Sequence, residues 1–185
     1  MRKTCILTAF ALLIGAAGAG ATSISVGAFG GVSIPVLNDL STRGTVFGAR
    51  APVNLLPLLT VEPYFAKSGL GDAEESFGGP VTFTRDGGDL TAFGVNALLT
   101  MGGGGLRFYP AVGLGSYKLE RDGAEEISEI GFNFGLGLGF SPPSVAGLGI
   151  DLRGEFVMIP TEDTSQKFAN VTLGVTYKIF STPTP

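Results

Sequence analysis

The chain has 185 residues, enough for one domain, with 44% hydrophobic residues, 15% charged residues and 30 glycines. It has no histidine, no tryptophan and one cysteine, which excludes Ser-His or Cys-His nucleophiles, histidine metal ligation, an internal disulfide and a multi-cysteine zinc site. Twelve basic against 16 acidic residues argue against a nucleic-acid surface, and positive mean hydropathy argues against disorder.

Residues 1–21, MRKTCILTAFALLIGAAGAGA, read as a secretory signal peptide. Arg2 and Lys3 form its basic start, Ile6 to Ile14 its apolar stretch, and Ala19-Gly20-Ala21 its small-residue cleavage signal, with the cut expected before Thr22. The apolar part is too short for the ~20 residues of a helical span. Cys5 lies just after the basic pair and leaves with the peptide, so the mature chain is expected to be cysteine-free, with ten basic residues against 16 acidic ones.

From Thr22 onward the hydrophobicity repeats every two residues, which sorts side chains onto the two faces of a pleated strand. Eight strands are predicted, at about 22–34, 43–53, 58–67, 88–100, 106–120, 128–141, 148–160 and 167–180, leaving 181–185 as a short tail. In 131–140, GFNFGLGLGF, residues Phe132, Phe134, Leu136, Leu138 and Phe140 oppose Gly131, Asn133, Gly135, Gly137 and Gly139. Most of these segments run to eleven or more residues; eleven at ~3.3 Å each, tilted ~40°, rise about 28 Å, enough for the ~25 Å apolar band of an outer-membrane barrel. Compact turns at Asn54–Pro57, Gly102–Gly105 and Pro142–Gly147 alternate with polar or acidic connections at about 35–42, 68–87, 121–127 and 161–166. The longest connection, 68–87, is expected to extend its hairpin at Val81 to Thr84.

A soluble barrel with its apolar face inward shares this period, so the second face decides. A water-facing exterior would carry many Lys, Glu and Thr residues; here that face is mostly glycine with scattered Asn, Arg, Asp and Glu. Glycine weakens a solvent-facing strand, whereas inside eight strands it leaves room for large neighbours in a lumen that side chains just fill. The predicted fold class is therefore all-β: an eight-stranded antiparallel up-and-down transmembrane β-barrel over residues 22–180, located in the outer membrane.

Three pieces of sequence resemble a known family: Tyr109-Pro110-Ala111-Val112-Gly113-Leu114-Gly115, the asparagine-bearing segment Leu90 to Met101, and the closing strand VTLGVTYKIF at 171–180. Their order and spacing over about 160 residues are similar to the small outer-membrane beta-barrel domains of Gram-negative bacteria, of the OmpA- and OmpX-like kind. The resemblance implies the fold and the location, and with them outer-membrane lipid and lipopolysaccharide as surroundings and the barrel-assembly machinery as a partner during insertion. It implies no single activity, because such barrels host adhesins, anchors, pores and enzymes. Family members end in an outward-facing aromatic residue; here Tyr177 and Ile179 hold the outward register and Phe180 stands one step off it. Phe47, Phe65, Phe93, Phe108, Phe132, Phe140, Phe156 and Tyr177 are available for the aromatic girdles.

Parity turns Arg50, Glu62, Tyr64, Asn96, Arg107, Tyr109, Tyr117, Asn133, Asp151, Arg153, Glu155 and Lys178 inward, with Arg50 level with Glu62. Charges facing a narrow interior are costly unless paired, so Arg50, Glu62, Arg107, Asp151, Arg153 and Glu155 are the candidate luminal charge network. Its expected role is structural; the sharper alternatives are a proton or solute path and a paired-carboxylate catalytic site. Asp72, Glu74 and Glu75 in one loop and Asp122, Glu125 and Glu126 in another offer oxygen ligands, yet neither has the spacing of a dedicated calcium loop. Gly102–Gly105 lacks the Lys-Ser/Thr and the helix of a phosphate cradle, and Gly113-Leu114-Gly115 sits inside a strand. The expectation is a monomeric, cofactor-free, non-enzymatic surface or structural protein of the envelope, anchor or adhesin-like, with a plugged lumen; the alternative is a narrow passive channel for small solutes.

Overall fold

The computed structural model describes residues 23–36, 42–71, 73–76, 82–85, 88–103, 105–120, 127–161 and 165–182, with the backbone alone for 73–76, 82–85 and 127. The predicted signal peptide lies outside them, as do Asp72, Asp122, Glu125 and Glu126 and the side chains of Glu74 and Glu75.

Among the described residues the chain is a closed barrel of eight antiparallel strands: β1 Ser23–Pro35, β2 Thr42–Arg50, β3 Leu59–Gly71, β4 Asp89–Leu99, β5 Leu106–Glu120, β6 Ile127–Phe140, β7 Leu148–Pro160 and β8 Ser165–Ser181. Each pairs with its neighbours in sequence, and β8 pairs back onto β1, which leaves no open edge. Two strands are interrupted. After Arg50, Ala51 and Pro52 leave the ladder, because proline has no N–H to donate; pairing resumes at Val53–Asn54 between β1 and β3. The β4 ladder is likewise broken at Thr100 and resumes against β5 at Met101–Gly103. The short turns close on Gly105 (φ 89°) and Gly147 (φ 84°), left-handed positions that favour glycine. In the longest connection, Thr82–Arg85 pairs antiparallel with Ala73–Ser76 as a separate hairpin.

The two faces separate along each strand. On β6, Phe132, Phe134, Leu136, Leu138 and Phe140 are exposed on the outside while Asn133 is buried. Phe47, Phe65, Phe93, Phe108 and Tyr177 also stand outward, and the Phe134 and Phe156 rings meet with centroids 5.2 Å apart. An apolar exterior of this extent is incompatible with water and matches lipid.

One sequence expectation is corrected at the seam. Ile24 pairs with Phe180 and Ser25 with Lys178, so Ile179 is an extra residue, a β-bulge. Directly opposed residues share a face, and Ile24 lies two positions from the outward-facing Val26. Phe180 is thus on the outer face, 45% exposed, and not one step off it. The bulge restores the outward terminal aromatic.

The lumen is layered along its axis. At the end carrying the long connections, Leu70, Leu90, Leu119, Val157, Ile159 and Phe168 pack with Tyr64, Tyr117 and Ala92 into an apolar plug. The charged residues lie beneath it. A smaller apolar group of Leu98, Tyr109 and Ala111 lies toward the short turns.

Candidate functional site

Register brings most of the luminal charges into one layer. Gly135 pairs with Glu155, Gly137 with Arg153 and Gly139 with Asp151, so small residues on β6 stand beside the three long charged side chains of β7. Gly137 also faces Tyr109 on β5, whose ring lies where a Cβ at Gly137 would stand. Across the barrel, Gly174 on β8 leaves its Cβ space to the Arg50 guanidinium.

Arg153 is the hub. Its Nη1 donates to Glu62 Oε1 at 2.6 Å and its Nη2 to Glu62 Oε2 at 3.0 Å, a two-pronged contact between β7 and β3. The same Nη1 lies 3.3 Å from Glu155 Oε1, and the guanidinium stacks 5.1 Å from the Tyr109 ring centroid. Arg50 donates to Asp151 Oδ2 at 2.6 Å and lies over the Phe29 ring of β1 at 5.3 Å. Its Nε is 4.0 Å from Glu62 Oε2. Arg50 pairs in register with Tyr64, two residues from Glu62, so the contact is diagonal and not level. The Tyr109 hydroxyl donates to Asp151 Oδ1 at 2.9 Å, and Asn96 Nδ2 donates to Glu62 Oε1 at 3.2 Å. Toward the plug, Asn133 Nδ2 donates to the Tyr64 hydroxyl at 3.0 Å, and the Tyr64 and Tyr117 hydroxyls are 2.9 Å apart.

Five of the six candidate network residues, Arg50, Glu62, Asp151, Arg153 and Glu155, are therefore in one cluster. Arg107 is not. It lies toward the short turns, where its Nη2 donates to Ser141 Oγ at 3.2 Å and its Nε has no partner among the described residues. Lys178 is exposed at the same end. Sequence reasoning missed Phe29, which caps Arg50, and the apolar plug. The plug had a readable signal: Phe156-Val157-Met158-Ile159 is apolar on both faces, so alternation fails where the strand leaves the charged layer.

Two cations and three carboxylates in a closed lumen can hold one another, and Glu62 accepts from Arg153 and Asn96 at once, which leaves it little capacity as a base. Cavities of about 40 Å³ above the cluster and about 60 Å³ below it are large enough for a few waters and far below the ~300–1,000 Å³ of small-molecule sites.

A closed eight-stranded barrel with an apolar exterior and a filled polar lumen is matched by a family model described as the outer membrane protein beta-barrel domain, over residues 5–178. The chain belongs to that family. Its location is accordingly the outer membrane. Solved structures of similar fold include Neisserial surface protein A, at 16% identity and a TM-score of 0.68, covering 86% of this chain and 99% of that one. The N-terminal beta-barrel domain of Pseudomonas aeruginosa OprF follows at 17% identity and 0.54, covering 85% and 99%. Ail, the attachment invasion locus protein of Yersinia pestis, solved with the heparin analogue sucrose octasulfate, matches at 21% identity and 0.51, covering 85% and 97%. At these identities the likeness is one of fold. No curated protein sequence matches the chain.

Proposed function

We propose that this chain is a non-enzymatic outer-membrane barrel serving as a structural or surface-anchoring component of the cell envelope, with a lumen that does not conduct. One observation carries this reading: two seals of different chemistry are stacked along the axis, an apolar plug closed by the fully buried Phe168 and, beneath it, the Arg50–Asp151 and Arg153–Glu62 pairs. A permeating ion would have to break buried ion pairs and then cross a hydrocarbon layer, each costly in a low-dielectric interior. The absence of histidine and the engagement of Glu62 by Arg153 and Asn96 support a non-catalytic role. Adhesive contacts, if the protein makes them, belong to the long connections on the plugged side.

The test is permeability. Purified barrel reconstituted into liposomes should swell in small sugars or amino acids no faster than protein-free vesicles, and planar bilayers should show no discrete conductance steps. Swelling well above the empty control would replace this reading with a narrow passive conduit.

A further inference from the structure

Arg107 and Lys178 take no part in the luminal cluster, and the place they occupy has a shape of its own. Where the short turns gather, a vestibule of about 410 Å³ opens at the end of the barrel, within the range of small-molecule sites. Arg107 and Lys178 line it together with Ser25, Asn54, Ser141 and Thr176, and its lining contains no carboxylate among the described residues. Short turns face the periplasm in barrels of this type, so the vestibule opens to that side.

The guanidinium of Arg107 is under-used. It has five N–H donors in a planar fork, of which one hydrogen bond, to Ser141, is made, while the buried Nε has no partner among the described residues. A buried guanidinium donor left unpaired is costly. The nearest acidic layer does not relieve it. Asp151 and Glu62 line the small cavity that Arg107 also touches, yet Asp151 is held by Arg50 and Tyr109, and Glu62 by Arg153. Two cations and three hydroxyls therefore converge on one space with no counter-ion among the described residues.

We propose that this periplasmic vestibule is a binding site for an oxyanion of phosphate chemistry, held by Arg107 and Lys178 with hydroxyl donation from Ser25 and Ser141. A phosphate dianion matches the two cations in charge, a headgroup phosphodiester matches one of them, and the oxygens of either suit the guanidinium fork. The site accepts either free phosphate or the phosphate of a lipid headgroup at the inner leaflet of the outer membrane. This inference does not depend on whether the lumen conducts, because the vestibule lies wholly on the periplasmic side of the charge cluster.

The experiment is a titration of the detergent-solubilised full barrel with inorganic phosphate, against sodium chloride at matched ionic strength. It follows the Arg107 Nε–H resonance and the thermal unfolding midpoint. Expected is a saturable shift of that resonance and a rise in midpoint, as for any ligand that binds the folded state alone. Arg107→Gln, which lacks that resonance, should abolish the rise in midpoint, and Lys178→Gln should weaken the apparent affinity about tenfold, the scale of one lost charged contact. A second arm compares nanodiscs of phosphatidylcholine with nanodiscs containing phosphatidylglycerol. A response to phosphatidylglycerol without one to phosphate identifies the headgroup as the source; a response to both supports the shared chemistry. No saturable shift in either arm, a midpoint rise unchanged in Arg107→Gln, or an affinity unchanged in Lys178→Gln, overturns the proposal. Should Arg107→Gln fail to fold, the wild-type titration and Lys178→Gln decide it.

Discussion

Arg153 on β7 and Glu62 on β3 face each other across the lumen as a two-pronged ion pair, with nitrogen–oxygen distances of 2.6 and 3.0 Å and almost no solvent exposure on either side. They are 91 residues apart in sequence. A pair of this kind joins opposite walls of the barrel, so its loss is felt by the closed structure as a whole.

Glu62→Ala should therefore lower the urea midpoint of unfolding in detergent, with a loss of about 3–5 kcal/mol, because Arg153 loses its two-pronged partner and keeps Glu155 as its one carboxylate contact among the described residues. Arg153→Ala should do comparable damage by stranding Glu62. The double variant Glu62→Leu/Arg153→Met should recover much of the loss, since a well-packed apolar pair replaces the ions. A double variant less stable than either single one would contradict this account. Conductance is expected to stay at background in all three.

Gly137 is held to glycine by the Tyr109 ring. Gly137→Val should displace the ring, remove the Tyr109–Asp151 hydrogen bond and the stacking on Arg153, and destabilise by about 1–3 kcal/mol, the usual range for overpacking. Gly154→Val is the control: it lies on the outer face, and a Cβ there meets nothing within 4 Å. Urea titrations of the two variants should separate clearly; equal losses would remove the ring from the argument.

Phe168 fills the outer plug and is fully buried. Phe168→Ala should cost about 3–5 kcal/mol through the cavity left behind. It should also speed amide exchange of the luminal residues nearest the loops, while leaving the short-turn end unchanged. Uniform exchange along the barrel would show that the plug is not a separate seal.

The outer face is tested by a charge. Leu136 is 57% exposed, level with the charged layer inside, so in a water-soluble protein Leu136→Arg would be almost neutral. In lipid vesicles it should destabilise by about 2–4 kcal/mol, whereas Phe180→Arg at the rim should cost about 1 kcal/mol or less. Deleting Ile179 removes the bulge and places Phe180 directly after the inward-facing Lys178, opposite Ile24 and still on the outer face. That variant should fold into vesicles as fast as wild type, measured by the heat-dependent gel shift typical of closed barrels; slower folding would show that the bulge matters beyond the direction it gives Phe180.

Much of the barrel was legible because its signal is local. Alternation in 131–140 and 171–179 assigns each side chain to a face without reference to any other strand, and turn glycines such as Gly105 and Gly147 mark where the chain reverses. The breaks at Ala51-Pro52 and Thr100 were absorbed into strands, because a one- or two-residue interruption hardly disturbs the period. The luminal cluster was partly legible. Parity turns Arg50 and Arg107 alike toward the lumen, yet among the described residues only the first reaches a carboxylate. Parity gives direction and not height, and height along the axis depends on the stagger accumulated from strand to strand.

What the sequence determined by itself is the division of every strand into a greasy side and a glycine-and-charge side, since a pleat places alternate residues on opposite faces whatever surrounds it. What tertiary structure decided is which charges meet. Arg50 finds Asp151 over a separation of 101 residues, and Phe180 turns outward through a single extra residue at the seam. Both follow from closing the sheet on itself, which fixes the offset between the first and last strands and so the height of every side chain in the lumen.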